Sequence, residues 1–268
     1  MPTPSPHTLA KALSPVLRDA ARQAGAMALA FFRHGADSSA RRWYKERGSP
    51  GTEADIAVDA FLKVRLSEAL PEAGWLSEET ADNPDRLDRP LVWIVDPIDG
   101  TRAFMSGHPD WSVSIALLSE GRPVLGLVYA PALDRLYEGS LGEGAFCNGE
   151  PLTVSAADRF GGAGVAGPQP LIDRFERRLG ETLHRLPKVP SLALRLARVA
   201  DGSIDIGLVS GNSRDWDLAG ADVILHEAGG SLTDLEGVRL AYNRPEPIHG
   251  ELIAAGRRLH PRLIEAMR

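Results

Sequence analysis

The sequence predicts a mixed α/β fold in which helices flank two β-sheets. Three observations support this class. Apolar residues recur at helical spacing near the start of the chain, three apolar runs follow one another at hairpin spacing between residues 111 and 139, and helical and extended patterns alternate beyond residue 154. We therefore expect an α/β (α+β) protein with an antiparallel sheet in its first half and a mixed sheet in its second.

The first elements are helical. Residues 5–32 carry apolar side chains at helical spacing, and Ser5-Pro6 is a suitable cap and first turn. A polar loop over residues 45–51 follows. Thr52 is a plausible N-cap for a second helix that includes Val58 and Leu62 on its apolar face.

The middle of the chain favours strands. A short apolar stretch, Trp75-Leu76, precedes a longer run over residues 91–95 that is β-branched and uncharged, as buried strands are. The three hairpin-spaced runs that follow are residues 111–118, 123–130 and 135–139.

The second half alternates helices with a strand. We expect helices over residues 171–184 and 191–200, a strand over 204–209, and a third helix from near Trp216 to the glycine stop signal Gly229-Gly230. We place a boundary near Val154, which divides the chain into domains 1–154 and 155–268.

Composition narrows the function classes. The 268 residues include 30 Lys and Arg and 36 Asp and Glu, a net charge of −6, and no basic block is interleaved with aromatic residues, so no nucleic-acid partner is expected. Cys147 is the single cysteine, which excludes an internal disulfide and fits a reducing cytoplasm. Residues 1–7 lack the features of a signal peptide, and no apolar run is long enough to span a membrane. We therefore expect a cytoplasmic protein.

The most informative segment is Asp96-Pro97-Ile98-Asp99-Gly100-Thr101, which follows the predicted buried strand. Two carboxylates three residues apart at a strand end are costly to bury unless a cation compensates them. Mg²⁺ takes oxygen ligands and commonly lies between carboxylates and a substrate phosphate. The alternative is a surface turn, since Asp, Pro and Gly all favour turns.

Further acidic residues accompany this segment. Glu78-Glu79 follows a short apolar stretch, Asp55 lies in the first turn of the second helix, and Asp215-Trp216-Asp217 opens the third helix of the second half. Each has a structural alternative, because Asp stabilises helix starts and Glu pairs are usually solvated. Together, beside a strand-end Asp pair, they favour a metal site.

These motifs resemble those of the inositol monophosphatase superfamily. The resemblance covers nearly the whole chain, and it is carried by the following segments: Thr52-x-Ala54-Asp55, Glu78-Glu79, Asp96 to Thr101, Trp216-Asp217-x-Ala219 and Glu227-Ala228-Gly229-Gly230. It implies a layered αβαβα sandwich of the sugar-phosphatase type. It also implies hydrolysis of a phosphate monoester on a small metabolite by metal-activated water, with two or three Mg²⁺ ions, sensitivity to Li⁺ and Ca²⁺, and a homodimer.

The resemblance also implies roles for single residues. Glu78, Asp96 and the carbonyl of Ile98 would hold the first Mg²⁺, Asp96, Asp99 and Asp217 would hold the second, and a third, weaker ion would contact Glu78. The backbone N–H groups of Gly100 and Thr101 would face the substrate phosphate, and Thr101 and Asp55 would orient the attacking water. The expected catalytic residues are therefore Asp55, Glu78 and Thr101.

The substrate is less clearly indicated. In inositol-specific members a carboxylate lies about seven residues before the aspartate of the Trp-Asp pair, whereas this chain has Ser210 there. Residues 45–55 look like the corresponding loop of bisphosphate nucleotidases and histidinol-phosphate phosphatases, and residues 102–107 look closer to the latter. Possible substrate-binding residues are Lys45, Arg102, Arg195 and Arg214, since an arginine can contact a second phosphate with two parallel hydrogen bonds.

We therefore expect a 3'(2'),5'-bisphosphate nucleotidase acting on 3'-phosphoadenosine 5'-phosphate. The first alternative is an inositol-1-monophosphatase. Further alternatives are a histidinol-phosphate phosphatase and a non-enzymatic protein of the same fold that binds RNA or transcription machinery. A calcium-binding structural module is disfavoured, because residues 96–101 lack the alternating oxygen ligands of an EF-hand loop.

Overall fold

The computed structural model describes residues 5–45 and 48–267. Over these residues the α-helices are α1 (Pro6–Leu29), α2 (Glu53–Ala69), α3 (Thr101–Met105), α4 (Gln169–Leu179), α5 (Leu192–Ala200), α6 (Asp215–Glu227) and α7 (His260–Met267). The strands of the same ranges are β1 (Arg42–Tyr44), β2 (Pro50–Thr52), β3 (Gly74–Ser77), β4 (Leu91–Asp99), β5 (Ser112–Ser119), β6 (Arg122–Ala130), β7 (Arg135–Ser140), β8 (Gly144–Cys147), β9 (Glu150–Pro151), β10 (Gly164–Ala166), β11 (His184–Arg185), β12 (Ile206–Val209), β13 (Ser213–Arg214), β14 (Gly230–Asp234), β15 (Ile248–His249) and β16 (Leu252–Gly256).

These strands form two main sheets. In the described residues, one sheet has seven strands in the order β3-β4-β5-β6-β7-β8-β9 and the other has five in the order β11-β10-β12-β16-β14. The first is antiparallel apart from the parallel pair β3–β4, and the second combines parallel and antiparallel pairs. The predicted α/β class with an antiparallel and a mixed sheet is confirmed.

Side-chain alternation along the strands builds five layers. In β4, Trp93 and Val95 pack into a core with α1 and α2, whereas Val92 and Ile94 pack on the opposite face, in a core shared with α5 and α6. In β16, Ala254 belongs to that shared core, and Ile253 faces a third core with α4 and α7. The order is therefore helix, sheet, helix, sheet, helix, as expected for the αβαβα sandwich.

The cover on both faces explains the composition of β4. All nine of its residues are buried, including Asp96 and Asp99 at its end. A strand buried on both faces carries a continuous apolar run instead of an alternating one. The prediction of a buried strand from the apolar run over residues 91–95 is therefore confirmed, and two carboxylates lie in the interior at the end of this strand.

Some element ends differ from prediction. The helix expected over residues 171–184 ends at Leu179, because Gly180 adopts a left-handed φ of +66° and His184–Arg185 pairs with β10 as an edge strand. The first helix ends at Leu29 rather than residue 32. The last part of the loop expected over residues 45–51 forms β2, which pairs antiparallel with β1.

The boundary expected near Val154 lies between β9 of the first sheet and β10 of the second. Helices α5 and α6, from the second half, nevertheless pack against the first sheet. The division into two domains stays a prediction. None of the described helices has both the length and the apolar character needed to cross a membrane.

Candidate active site

A bulge at the end of β4 brings two carboxylates to one point. The pairing of β4 with β5 runs regularly to Asp96 opposite Ser114 and then shifts before Asp99 opposite Ser112. In a regular strand, residues three apart point to opposite faces. The extra residue of the bulge lets the Asp96 and Asp99 side chains converge.

A third carboxylate arrives from the other half of the chain. Asp217 lies in the first turn of α6, where its Oδ2 accepts a 2.7 Å hydrogen bond from the Arg214 backbone N–H. One carboxylate oxygen from each of Asp96, Asp99 and Asp217 lies within 4.8 Å of the other two. We call these three residues the carboxylate cluster.

The electrostatics of the cluster favour a bound cation. Burial raises the pKa of Asp96 well above its ordinary value, and the neighbouring charges of Glu78, Asp99 and Asp217 raise it further. Burial likewise raises the pKa of Asp217 well above its ordinary value. A divalent cation would supply the positive charge that stabilises the ionised carboxylates at neutral pH.

Residues at the start of α5 hold the Asp99 carboxylate by hydrogen bonds. Burial raises its pKa to about 6, although hydrogen bonds to the carboxylate oppose the shift. Its Oδ2 accepts hydrogen bonds from Ser191 Oγ at 2.5 Å and from the Ala193 N–H at 2.7 Å. Ser191 is also the N-cap of α5, with its Oγ accepting from the Leu194 N–H at 3.0 Å. The start of α5 therefore fixes the orientation of Asp99.

Glu78 lies at the edge of the cluster. It follows β3, the parallel neighbour of β4, and its N–H donates to the Val95 carbonyl at 3.3 Å. Its charge contributes to the raised pKa of Asp96, but it is not one of the three residues within the 4.8 Å group. Lys45 Nζ lies 3.0 Å from Glu78 Oε1 and also donates to Glu79 Oε1. Lys45, expected to contact substrate, thus forms an ion pair with a predicted metal ligand.

A second hydrogen-bonded group lies beside the cluster. Asp55 is fully buried, and burial raises its pKa to about 6. Its Oδ2 accepts hydrogen bonds from the Thr52 N–H at 2.8 Å and from Thr52 Oγ1 at 2.5 Å, which confirms Thr52 as the N-cap of α2. Its Oδ1 lies 3.3 Å from Thr101 Oγ1, which also lies 3.1 Å from the Ile98 carbonyl oxygen.

Gly100 links this group to the cluster. It is the N-cap of α3 with φ of +87°, a conformation that L side chains rarely adopt. A Cβ at this position would lie 3.2 Å from the Asp110 carbonyl oxygen and from the backbone of Ser191. The backbone N–H groups at the start of α3 have no partner within the helix. Glycine is therefore required at this turn, because backbone already occupies the space that a side chain would fill.

The donor set fits hard divalent cations. The cluster offers carboxylate oxygens, and the Ile98 carbonyl, at the bulge, keeps a second lone pair when it accepts from Thr101. No thiolate takes part, since Cys147 lies buried on β8 beside Arg135 and Asp201, where burial raises its pKa. Oxygen-only ligation is typical of Mg²⁺, Ca²⁺ or Mn²⁺ sites.

The three arginines expected to contact substrate have different surroundings. Arg195 is largely buried near Asp99, its Nη1 donates to a backbone carbonyl at 2.9 Å, and its buried Nε has no hydrogen-bond partner among the described residues. Arg214 stacks 5.6 Å over the Trp216 ring, one helical turn from Asp217. Arg102 is exposed and donates to the Gly48 carbonyl at 3.1 Å.

Two supporting residues were missed at the level of sequence. Ser191 could have been identified as an N-cap from its place before a helical pattern, but its bond to Asp99 depends on the packing of α5 against β4. Asp59 lies four residues after Asp55, on the same side of α2, and it bonds to the segment that carries Glu78. Only its helical spacing from Asp55 hinted at this.

The chain is similar in sequence to known phosphatases. A profile of the inositol monophosphatase family matches residues 10–268. The chain is 36% identical over 229 residues to histidinol-phosphatase of Mycobacterium tuberculosis, covering 81% of this chain and 84% of the relative. It is 36% identical over 198 residues to inositol monophosphatase 3 of Solanum lycopersicum, with coverages of 69% and 74%. It is 32% identical over 213 residues to 3'(2'),5'-bisphosphate nucleotidase CysQ of Aggregatibacter actinomycetemcomitans, with coverages of 75% and 78%.

The fold has solved counterparts as well. The crystal structure of the extragenic suppressor protein suhB from Bartonella henselae superposes with a TM-score of 0.83 at 30% identity, covering 96% of this chain and 98% of that one. The matched relatives are phosphatases that differ in substrate. The chain belongs to the inositol monophosphatase family of phosphoric monoester hydrolases.

Proposed function

We propose that this chain hydrolyses a phosphate monoester of a small metabolite with Mg²⁺ held at the carboxylate cluster. The observation that carries the proposal is the convergence of Asp96, Asp99 and Asp217 within 4.8 Å at a buried strand end. Three carboxylates with raised pKa values would be a costly arrangement for packing alone. They are an effective arrangement for binding divalent cations.

The ligands would be divided among two or three metal ions. Glu78, Asp96 and the Ile98 carbonyl would hold one ion, Asp96, Asp99 and Asp217 a second, and a third, weaker ion would contact Glu78. When bound, such ions neutralise phosphate oxygens, lower the pKa of water and stabilise the departing oxygen.

The residues beside the carboxylate cluster would take a proton from the attacking water. Asp55 Oδ2 is occupied by Thr52, so its Oδ1 is left for the Thr101 hydroxyl. The single Thr101 proton can point to the Ile98 carbonyl or to Asp55 Oδ1. Pointing to Asp55, it would pass to Oδ1 while Thr101 Oγ1 accepts a proton from the attacking water. The N–H groups of Gly100 and Thr101, at the start of α3, would bind a phosphate oxygen.

For the substrate we propose 3'-phosphoadenosine 5'-phosphate. Ser210 is exposed where inositol-specific relatives would place a carboxylate, so a second phosphate would not meet an acidic side chain there. Arg195 and Arg214 lie close to the cluster on α5 and at the start of α6, where a guanidinium could contact that second phosphate. The similarity to a bisphosphate nucleotidase supports this assignment.

Inositol 1-phosphate is the second candidate and histidinol phosphate the third, each supported by a relative at 36% identity. We further propose, from the family, inhibition by Li⁺, a homodimer and a cytoplasmic location.

A substrate panel tests the proposal. Initial rates of phosphate release, with Mg²⁺, are compared for adenosine 3',5'-bisphosphate, inositol 1-phosphate, histidinol phosphate and fructose 1,6-bisphosphate as kcat/KM. We expect the bisphosphate nucleotide to lead by at least about tenfold, because an arginine–phosphate contact contributes about 1.5–3 kcal/mol. A preference for inositol 1-phosphate would overturn the substrate assignment.

The same panel, measured on variants, tests the site. Asp96→Asn should abolish release of phosphate from every substrate. Asp205→Asn is the matched control, because Asp205 accepts a 2.6 Å hydrogen bond from the Gly164 N–H in the second sheet, away from the cluster. Full turnover by Asp96→Asn would refute the metal site itself.

A further inference from the structure

Asp59 lies one helical turn beyond Asp55 on α2 and is 6% exposed. Both of its carboxylate oxygens accept hydrogen bonds from hydroxyl groups. Ser77 Oγ donates to Oδ1, and Thr80 Oγ1 donates to Oδ2 at 2.5 Å. A buried carboxylate with two such bonds is held in one orientation.

The two hydroxyls belong to the two ends of one short segment. Ser77 is the last residue of β3 and Thr80 lies three residues later, so residues 77–80 form a turn that carries Glu78 and Glu79. Ser77 Oγ also accepts a 3.3 Å hydrogen bond from the Glu79 N–H. Hydrogen bonds to Asp59 therefore connect both ends of the turn to α2. The hydrogen bond from the Glu78 N–H connects its middle to β4.

The turn needs this support for an electrostatic reason. The Glu78 carboxylate carries the same charge as the carboxylates of the cluster beside it, so mutual repulsion favours movement of Glu78 away from them. Lys45 also attracts the Glu78 carboxylate from outside the cluster. A segment held only by the Glu78 N–H would be free to turn the carboxylate away.

We propose that Asp59 is a positioning residue that keeps Glu78 beside the carboxylate cluster. The inference rests on the proposed function, and it concerns metal affinity rather than the chemical step. Helix α2 then serves the site twice, because Asp55 accepts the proton and Asp59, four residues later, orders a metal ligand. A carboxylate is required, since an amide has one acceptor oxygen and could keep only one of the two hydroxyl bonds in its present form.

A purely structural role is the competing explanation. Asp59 joins α2 to the end of β3, so its loss could lower the free energy of unfolding without any specific effect on metal binding. Metal affinity, measured directly and compared with a control of similar stability cost, separates the two roles.

The experiment is titration of the metal-free protein with Mn²⁺, followed by calorimetry and by the electron paramagnetic resonance signal of free Mn²⁺. Asp59→Asn should weaken Mn²⁺ binding by about tenfold or more, because loss of a residue that orients a metal ligand typically costs 10–100-fold in affinity. Activity of Asp59→Asn should fall at limiting Mg²⁺ and recover with excess Mg²⁺. Thr80→Val, which removes one bond, should show a smaller shift in the same direction.

The control is again Asp205→Asn, which makes the same change from carboxylate to amide at a part-buried hydrogen bond elsewhere and should bind Mn²⁺ as the wild type does. Unchanged Mn²⁺ affinity in both Asp59→Asn and Thr80→Val would overturn the inference, as would an equal loss in Asp205→Asn. Failure of the wild type itself to bind Mn²⁺ would instead refute the proposed function, and the inference with it.

Discussion

At the scale of single residues, Asp55 joins a helix cap to the catalytic group that we propose. Its Oδ2 completes the capping box of α2 through Thr52, and its Oδ1 lies 3.3 Å from Thr101 Oγ1. One carboxylate thus stabilises a helix start and presents its other oxygen to the Thr101 hydroxyl. Burial raises its pKa to about 6, which suits a group that must accept a proton.

We expect Thr101→Val to separate chemistry from metal binding. The change removes the hydroxyl that connects water to Asp55, so kcat should fall by about 10²–10⁴-fold, the range that general acid–base catalysis contributes. Thr101→Ser keeps the hydroxyl and should retain most of the turnover. The measurement is kcat at saturating Mg²⁺ together with Mn²⁺ affinity by calorimetry, and turnover of Thr101→Val equal to that of Thr101→Ser would contradict the role.

At the scale of elements, the sequence was informative where one element determines its own pattern. The uncharged run over residues 91–95 predicted a buried strand, because β4 is covered on both faces, and Thr52 predicted the start of α2. The predicted helix over residues 171–184 ran past the end of α4 at Gly180. Its last residues, His184–Arg185, form a strand only because they pair with β10, which is a contact that the local sequence does not show. Short strands such as β13 and β15 gain their definition from each other and leave little periodicity.

In the site, too, the sequence predicted residues better than the contacts between them. The motif around Asp96 and Asp99 identified the cluster, but the bulge that unites them depends on the register of β5. The contact of Lys45 with Glu78 joins residues far apart in the sequence, and the hydroxyl bonds of Asp59 depend on the packing of α2 beside β3. Motifs therefore predicted residues that the structure brings together, and packing decides which residues hold them in place.

At the scale of the whole molecule, the site lies where the two sheets share a helical layer. Asp96 and Asp99 come from the first sheet, and Asp217 comes from α6, which packs between both sheets. Neither half of the chain alone contains the cluster. Metal binding should therefore stabilise the junction between the halves as well as the site.

The buried carboxylates of the site predict that the stability of the metal-free protein depends on pH. Burial raises the pKa of Asp55 and Asp99 to about 6 and that of Glu79 to about 7, so the folded state retains protons that the unfolded chain releases. Their contribution to stability is fully present below the unfolded pKa values, near pH 4, and is lost as the pH rises through 6 and 7. The lowered pKa of His260 acts in the opposite direction. The lowered pKa values of Glu53, Asp82 and Glu176 do so too, but below the ordinary carboxyl range.

In EDTA we therefore expect Tm to fall as the pH rises from about 5 to 8. Added Mg²⁺ should raise Tm more at about pH 8 than at about pH 5, because metal ions compete with protons for the carboxylates. Differential scanning fluorimetry across this range measures both effects. A Tm in EDTA that rises steadily over the same interval would show that the buried carboxylates do not govern stability.

The most direct test of the metal centre is anomalous diffraction from crystals soaked in Mn²⁺ near neutral pH. We predict anomalous peaks in contact with the carboxylates of Asp96, Asp99 and Asp217, with one peak also touching Glu78 and the Ile98 carbonyl, and no such peaks in Asp96→Asn crystals. The absence of Mn²⁺ at the cluster, in crystals of a protein whose phosphate release depends on Mn²⁺, would contradict the account.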